Sequence, residues 1–435
     1  MKLFLTHTYY LFEDVKEEHI MRPYPPLGLL YVSAFLKENE FDTKVFDATF
    51  SSFEDQRKSI LEDRPDVIAI YCNMITKLNV IRLVKWIRSV KELNHSKIVF
   101  GGPDLRNNIE NYLSFGADFL VIGEGEQTML ELVNSLKNGV NDFSQINGLA
   151  FLDGDSLVLN NERIKIKKVD ELPLPDREGI DMNPYLNIWE KHHGTRTMSI
   201  STQRGCPYTC KWCSTAVYGQ SYRRRSATLV VDEIEHLINT YDANSFWFVD
   251  DVFTVSHKWI ESFYEEVLNR NIEFEFECIT RAERLNDDVL RMLSEIGCSK
   301  IWIGAESGSQ KIIDEMDRRV KVTDVSDMIK RTKDFGIGTG TFIMLGYPKE
   351  EIEDIEETIS YLKNCSPDDF TITIAYPIKG TALYNQIEND IITDLDWHSS
   401  TDRDIDFKRA YSPRFYQYAV KYVVNSVIFH RKKRT

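Results

Sequence analysis

Short apolar runs alternate with longer stretches in which apolar residues recur every three or four positions along the first third of the chain. The short runs predict strands, and the longer stretches predict amphipathic helices. The strands are Lys2–Thr6, Thr43–Asp47, Val67–Ile70, Lys97–Gly101 and Phe119–Ile122, and the clearest helices are Gly28–Glu38, Thr76–Val90 and Asn107–Ser114. Strands separated by helices pair in parallel through right-handed crossovers. We therefore predict an α/β fold that begins with a Rossmann-like, doubly wound parallel sheet.

The carboxyl ends of these strands are rich in glycine. Ligands of doubly wound sheets bind at this edge, and glycine lets the backbone approach a flat ligand closely. The candidate ligand contacts of the first sheet are Asn73, Gly101, Gly102, Gly123 and Glu124.

The alternation of strand and helix returns after residue 196. Six strands are predicted at Thr197–Gln203, Ser245–Val249, Glu273–Ile279, Lys300–Ile303, Gly338–Leu345 and Asp369–Tyr376, with helices such as Thr228–Asn239, Ser256–Asn269 and Glu350–Lys363 between them. Six such units predict a partial (β/α)6 barrel, whose active site lies at the carboxyl ends of the strands.

The 435 residues are enough for two or three domains. We predict a first domain at 1–139, a connector at 140–195, the barrel at 196–390 and a short helical segment with a basic tail at 391–435. The connector contains a hairpin signal around Gly154 and a proline-containing strap over Leu172–Asp176. His192 and His193 are interpreted as loop residues near the barrel mouth rather than metal ligands.

Three cysteines follow the first barrel strand with the spacing C-x3-C-x2-C: Cys206, Cys210 and Cys213. Thiolates at this spacing can bind three irons of a 4Fe-4S cluster and leave the fourth iron open to a small molecule. The alternative is three neighbouring thiols in a reduced protein. The remaining cysteines are interpreted as small buried apolar residues, namely Cys72, Cys278, Cys298 and Cys365.

This cysteine loop, with Trp212 directly before the last cysteine, resembles that of the radical S-adenosylmethionine (SAM) superfamily. The resemblance implies that the amino and carboxylate groups of SAM chelate the open iron. It also implies that the reduced cluster cleaves SAM to methionine and a 5′-deoxyadenosyl radical, which abstracts hydrogen from an unactivated position.

Further motifs resemble the SAM contacts of that family. The resemblance places Asp250 and Asp251 near the SAM ammonium, Arg281 at its carboxylate, Glu306 and Ser307 at the ribose, and Gly346 in the loop that meets the adenine. One of the two aspartates could instead cap a helix, and Ser309 could cap the helix that follows it. Lys379 is interpreted as a solvated turn in preference to a substrate contact.

The first domain resembles the cobalamin-binding domain that precedes the barrel in a large radical SAM subfamily. The resemblance is carried by Pro25–Leu29, by Gly101-Gly102-Pro103 and by Val121–Glu126. The Asp-x-His-x-x-Gly signature is missing, because Asp47-Ala48-Thr49-Phe50 follows the second strand. That motif therefore supplies no axial histidine. A scaffold that has lost its corrin is the alternative.

The net charge and the two ends of the chain limit which partners and which location are expected. The formal net charge is −15, which argues against a nucleic acid held on a wide basic face. An odd number of cysteines and no secretory signal predict a cytoplasmic protein. The apolar stretch Arg414–Phe429 ends in basic residues at 430–434 and is too short to span a bilayer. It could lie on the inner face of a membrane, or it could pack on the barrel.

The predicted function is a cobalamin-dependent radical SAM methyltransferase that acts on a small-molecule or lipid-like substrate. Its electron would come from a reductant such as flavodoxin or ferredoxin. A cobalamin-free mutase, dehydratase or cyclase is the second hypothesis. A cluster-bearing redox sensor or binding module is the third, although such a protein has no need of the predicted SAM contacts. Fold and cluster do not choose the substrate.

Overall fold

The computed structural model describes residues 1–214 and 217–432, and its first sheet has the strand order β2-β1-β3-β4-β5-β6-β7. The strands are β1 (Leu3–His7), β2 (Thr43–Phe46), β3 (Val67–Tyr71), β4 (Lys97–Gly101), β5 (Phe119–Val121), β6 (Leu149–Asp153) and β7 (Ser156–Leu159). The strands β1 to β5 pair in parallel. This order confirms the predicted doubly wound sheet.

Helices cover both faces of this sheet. They are α2 (Leu27–Glu38), α3 (Phe53–Asp63), α4 (Lys77–Ser89), α5 (Ile109–Phe115) and α6 (Gly125–Lys137), whereas the short α1 (Val15–Ile20) buries no residue. Alternate residues of each strand enter opposite cores: Ile68 and Phe100 pack on one face, whereas Val67 and Val99 pack on the other. Because both faces are buried, the strands are almost continuously apolar, as in other parallel sheets.

The predicted hairpin forms, but it does not belong to a separate connector. Strand β6 pairs antiparallel with β5, and β7 pairs antiparallel with β6. Leu149, Ala150 and Phe151 are buried against the first domain. The hairpin thus covers the open edge of β5, and the first sheet extends beyond the predicted boundary at residue 139.

The interpretation of His192 and His193 as loop residues is wrong. Both lie in the last turn of α7 (Asn183–His193), a helix that buries Tyr185, Leu186 and Trp189. The helix leads into the amino end of the first barrel strand, opposite the edge from which the cysteine loop leaves. The histidines are therefore not near the cluster loop.

The second sheet has the order β15-β14-β13-β12-β11-β8, with parallel neighbours throughout. Its strands are β8 (Thr197–Ile200), β11 (Ser245–Phe248), β12 (Glu275–Thr280), β13 (Cys298–Glu306), β14 (Gly338–Leu345) and β15 (Asp369–Ile374); β9 (Gln203–Arg204) and β10 (Arg223–Arg224) form a small ribbon. Helices α8 (Ala227–Tyr241), α9 (His257–Arg270), α10 (Asp287–Glu295), α11 (Gln310–Glu315), α12 (Val322–Asp334) and α13 (Ile352–Cys365) join the strands. The sheet is the predicted partial barrel.

The chain continues with α14 (Ala382–Ile387) and α15 (Pro413–Lys432). Helix α15 buries Tyr416, Ala419, Val423 and Val427 in the barrel core, so the packed alternative for this segment is the one observed. Within the described residues, no helix is long and apolar enough to cross a membrane. Lys433 and Arg434 of the predicted basic tail lie outside the described residues.

The turn after β4 depends on glycine at a single position. Gly102 has φ +126°, and a Cβ atom built there would lie 2.1 Å from the carbonyl oxygen of Cys72, whereas a Cβ on neighbouring Gly101 meets nothing within 4 Å. We expect Gly102→Ala to lower the free energy of unfolding by at least about 2 kcal/mol and Gly101→Ala by less than about 1 kcal/mol. Urea unfolding of the two apoproteins, followed by circular dichroism, measures the difference. Equal losses would show that the close approach at Gly102 is not the cause.

Candidate functional site

The two sheets meet at a cavity of about 330 Å³. One wall is the carboxyl edge of the first sheet, with Gly101, Gly102 and Gly123 among its lining residues, and the other follows the ends of β8 and β11. Tyr31, Tyr71 and Tyr218 also line this wall, although no sequence motif predicts them there. No histidine lines the part of the wall that the structure describes.

Two of the residues expected at this wall serve other purposes. The Asn73 side-chain oxygen accepts hydrogen bonds from the backbone N–H groups of Ile75 and Thr76, both at 2.9 Å, and so holds the turn that precedes α4. Glu124 borders the cavity, but its carboxylate accepts hydrogen bonds from Arg223 Nη1 at 2.5 Å and from the backbone N–H of Ile166 at 2.7 Å. We therefore correct the expectation that these side chains are free to contact a ligand.

The cysteine loop leaves β8 beside this cavity. Cys206 is buried, Cys210 is half-buried and Cys213 is exposed. Burial raises the pKa of the Cys206 thiol, and the nearby charges of Asp251 and Cys210 raise it further. Among the described residues, no three His, Cys, Asp or Glu side chains surround one point that could hold a single ion. Separate thiols in one loop suit a cluster, in which each thiolate binds its own iron, better than a mononuclear site.

The paired aspartates after β11 divide into two roles. Asp250 is buried, accepts hydrogen bonds from the backbone N–H groups of Thr202 at 2.8 Å and Gln203 at 3.1 Å, and lies 3.7 Å from Arg224 Nη2. Its carboxylate fixes the start of the cysteine loop and caps no helix, although Asp250 is also among the residues that line the cavity. Asp251 lines the cavity and makes no side-chain hydrogen bond within the described part of the chain.

The two residues predicted at the ribose, at the end of β13, differ in their surroundings. Glu306 has φ +68°, and burial raises the pKa of its carboxyl although Arg318 and Arg281 oppose the shift. Ser307 is 1% exposed, and its hydroxyl lies 3.3 Å from Thr358 Oγ1 of α13. The role of Glu306 at the ribose stays a prediction, whereas the Ser307 hydroxyl faces the protein interior.

The neighbouring Ser309 does not cap a helix through its side chain. It precedes α11, but its hydroxyl donates to Asp354 Oδ1 of α13 at 2.7 Å. The local capping interpretation was wrong because the partner lies 45 residues away.

The loop after β14 turns at Gly346, which has φ +76°. The Gly346 N–H donates to Glu350 Oε2 at 2.5 Å, and a Cβ at Gly346 would lie 2.7 Å from Arg409 Nη1. Burial raises the pKa of the Glu350 carboxyl to about 8. The loop is therefore held by a buried acid, with no room for a side chain at Gly346.

Arg281 contacts the cysteine loop. Its Nη1 lies 3.2 Å from the Sγ atom of Cys210, its Nη2 donates to the backbone oxygen of Arg318 at 2.6 Å, and its Nε donates to Glu283. Every nitrogen of the guanidinium is engaged inside the protein. These contacts favour a role at the cysteine loop, and the contact of Arg281 with the SAM carboxylate stays a prediction.

The loop that contains Lys379 joins the two domains. Asn107 of the first domain donates to the Lys379 backbone oxygen at 2.8 Å, and the Lys379 N–H donates to Asp402 at 2.9 Å. These backbone contacts agree with the interpretation of this segment as a turn.

Comparison with known families agrees with this geometry. Residues 19–133 match the B12 binding domain, and residues 200–362 match the radical SAM superfamily. The chain thus contains a B12-binding domain followed by a radical SAM domain.

Two curated relatives and one solved structure illustrate the likeness. An uncharacterized methyltransferase of Pyrococcus horikoshii is 29% identical over 387 residues, which cover 87% of this chain and 82% of the relative. An anaerobic magnesium-protoporphyrin IX monomethyl ester cyclase of Rubrivivax gelatinosus is 28% identical over 79% of this chain, which spans only 63% of that enzyme. The methyltransferase TsrM from Kitasatospora setae, solved with cobalamin and a 4Fe-4S cluster bound, superposes with a TM-score of 0.72 at 16% identity, covering 89% of this chain and 74% of TsrM. That structural likeness concerns the fold.

The cofactors of the chain are accordingly a 4Fe-4S cluster, SAM and cobalamin. The thiol set of the cysteine loop suits the cluster, and the glycine-lined wall suits a large flat ligand. Together these groups supply radical generation and the transfer or rearrangement of carbon groups.

The raised pKa of Glu350 predicts how stability depends on pH. The folded carboxyl stays protonated to about pH 8, whereas its ordinary pKa is 4.5. Folding therefore takes up a proton between these values, and the stability that protonation provides is lost as pH rises towards 8. We expect Glu350→Gln to remove this loss, so that its melting temperature falls less than that of the wild type between about pH 5.5 and about pH 8.

Glu356→Gln, on the exposed face of α13, is the control for the removal of one charge. It should keep the wild-type pH dependence. Identical pH dependence in all three proteins would mean that Glu350 is not held protonated.

Proposed function

We propose that this protein is a cobalamin-dependent radical SAM methyltransferase that acts on an unactivated carbon of a small molecule. The observation that carries the proposal is the shared cavity, onto which both the glycine-lined edge of the first sheet and the ends of β8 and β11 open. An enzyme that combines radical chemistry with a corrin needs both groups to reach one substrate. A cavity between two strand edges meets that need.

The residues divide the work as follows. Cys206, Cys210 and Cys213 hold the cluster, and Asp251 accepts hydrogen bonds from the SAM ammonium. Support for Asp251 comes from its carboxylate, which lines the cavity and makes no side-chain hydrogen bond to any described residue. It is also close enough to raise the pKa of Cys206. Glu306 receives the ribose hydroxyls at the end of β13. The Gly346 turn offers its backbone to the adenine.

The corrin lies against Gly101, Gly102 and Gly123 of the first sheet. Tyr71, at the end of β3, lines the same wall, and burial raises the pKa of its hydroxyl to about 12. These glycines and Tyr71 would hold the corrin, and no histidine lines the described part of the wall.

A cyclase or mutase on the same scaffold is the second candidate. It is favoured by the likeness to the magnesium-protoporphyrin cyclase, of which the chain spans less than two thirds. A redox sensor explains the cysteines but gives no role to Asp251, to Glu306 or to the first domain.

The partners follow from these roles. A one-electron donor such as flavodoxin or ferredoxin reduces the cluster, and the substrate is a small or lipid-like molecule. The net charge of −15 gives no support to a nucleic acid partner. The proposed location is the cytoplasm, with contact to the inner face of the membrane through the exposed side of α15.

One experiment tests the proposed function. After anaerobic reconstitution with iron and sulfide, the protein is offered hydroxocobalamin, desalted and reduced with SAM present. We expect about one corrin retained per chain and formation of 5′-deoxyadenosine. Cys213→Ala should lose deoxyadenosine formation and keep the corrin, whereas Cys365→Ala, which changes a buried thiol far from the loop, should keep both. Deoxyadenosine without a retained corrin would move the function to the second candidate.

Membrane contact is tested on the exposed face of α15. Tyr418 and Tyr422 are more than half exposed, with Lys421 beside them, whereas the opposite face is built into the barrel core. Tyr418→Ser combined with Tyr422→Ser should reduce sedimentation with anionic liposomes about tenfold, and Leu268→Ser on α9 should leave it unchanged. Equal sedimentation of all three proteins removes membrane contact from the proposal.

A further inference from the structure

We propose that Arg281 raises the reduction potential of the iron–sulfur cluster by donating a hydrogen bond to the thiolate of Cys210. The proposal rests on the cluster being bound by Cys206, Cys210 and Cys213. It adds a positioning residue that acts on the cluster through one of its ligands.

The contact is direct and its donor is fixed. Arg281 Nη1 lies 3.2 Å from Cys210 Sγ, a normal distance for an N–H group that donates to sulfur. The other nitrogens donate to the backbone oxygen of Arg318 and to the Glu283 carboxylate. The side chain is 6% exposed. A guanidinium held at three points cannot swing away from the sulfur without breaking two other hydrogen bonds.

An aromatic ring holds the guanidinium from one face. The Arg281 Cζ atom lies 4.1 Å from the centre of the Tyr208 ring, and Tyr208 belongs to the cysteine loop itself. Arg284 donates to the Tyr208 hydroxyl from the same segment after β12. The cysteine loop and the Arg281 segment are thus clamped together on the side of Cys210.

The effect on the cluster follows from charge. Reduction adds one electron to the cluster, makes or breaks no covalent bond and increases the negative charge on its sulfur ligands. A positively charged N–H donor stabilises that charge more in the reduced state than in the oxidised state. Removal of the donor should therefore make reduction harder, and the potential should become more negative.

A competing role gives a different result. If Arg281 bound the SAM carboxylate, its removal would weaken SAM binding and leave the potential of the SAM-free cluster unchanged. The occupied guanidinium nitrogens favour the first role. Measurement of the SAM-free cluster therefore separates the two, and it does not depend on whether the enzyme transfers methyl groups.

The experiment is a redox titration of the reconstituted full-length protein without SAM, followed by electron paramagnetic resonance of the reduced cluster. In Arg281→Gln we expect the equilibrium constant for one-electron reduction to fall about tenfold, a shift of about 59 mV to more negative potential. Arg281→Lys keeps the charge but loses the fixed planar donor, so its shift should be smaller and in the same direction.

Arg319→Gln is the matched control. The Arg319 side chain is 73% exposed, pairs with Asp317 at 2.8 Å and interacts with the charge of Cys210 without a hydrogen bond to it. Its loss should shift the potential much less than the loss of Arg281, because solvent screens its charge.

Iron and sulfide content shows whether each variant holds an intact cluster. If Arg281→Gln assembles no cluster, the shift of the reduction potential in Arg281→Lys tests the proposal. An unchanged potential in an Arg281 variant with a full cluster, or an equal shift in Arg319→Gln, would overturn the proposal.

Discussion

The rest of the structure depends on buried ion pairs that hold the two strand edges face to face. Glu124 and Glu126 leave the last parallel strand of the first sheet, and their carboxylates bind Arg223 and Arg204 of the ribbon beside the cysteine loop. All four side chains are almost completely buried. Removal of one partner leaves a buried charge uncompensated, at about 3 to 5 kcal/mol. These pairs therefore stabilise the arrangement of the two cavity walls.

A buried acid also fixes the cysteine loop on the barrel side. Asp250 receives the backbone N–H groups of Thr202 and Gln203, so the first residues after β8 are tied to the end of β11. Glu350 does the same for the Gly346 turn. Asp250 and Glu350 therefore each hold a backbone turn. Asp251, next to Asp250, lines the cavity.

The local pattern of the sequence was sufficient for the strands, the parallel order and the position of the cysteine loop, because periodicity and spacing are local properties. It was not sufficient for the roles of charged residues. Glu124, Asp250 and Arg281 each find a partner about 50 to 100 residues away, which no local pattern reveals. For the same reason the hairpin was assigned to a connector, because its pairing with β5 is a contact between distant residues. The Ser307 hydroxyl was assigned to a ligand, because its partner on α13 is equally distant in sequence.

The central claim is that the corrin lies in the cavity between the two domains, with the cluster on the cysteine loop beside it. Electron paramagnetic resonance of protein that contains both cob(II)alamin and the reduced cluster tests it most directly. If the corrin and the cluster lie this close, the unpaired electron of each should broaden the resonance signal of the other or speed its relaxation. The comparison is with protein that contains only one of the two groups. Two signals that are unchanged by the presence of the second group would contradict the account.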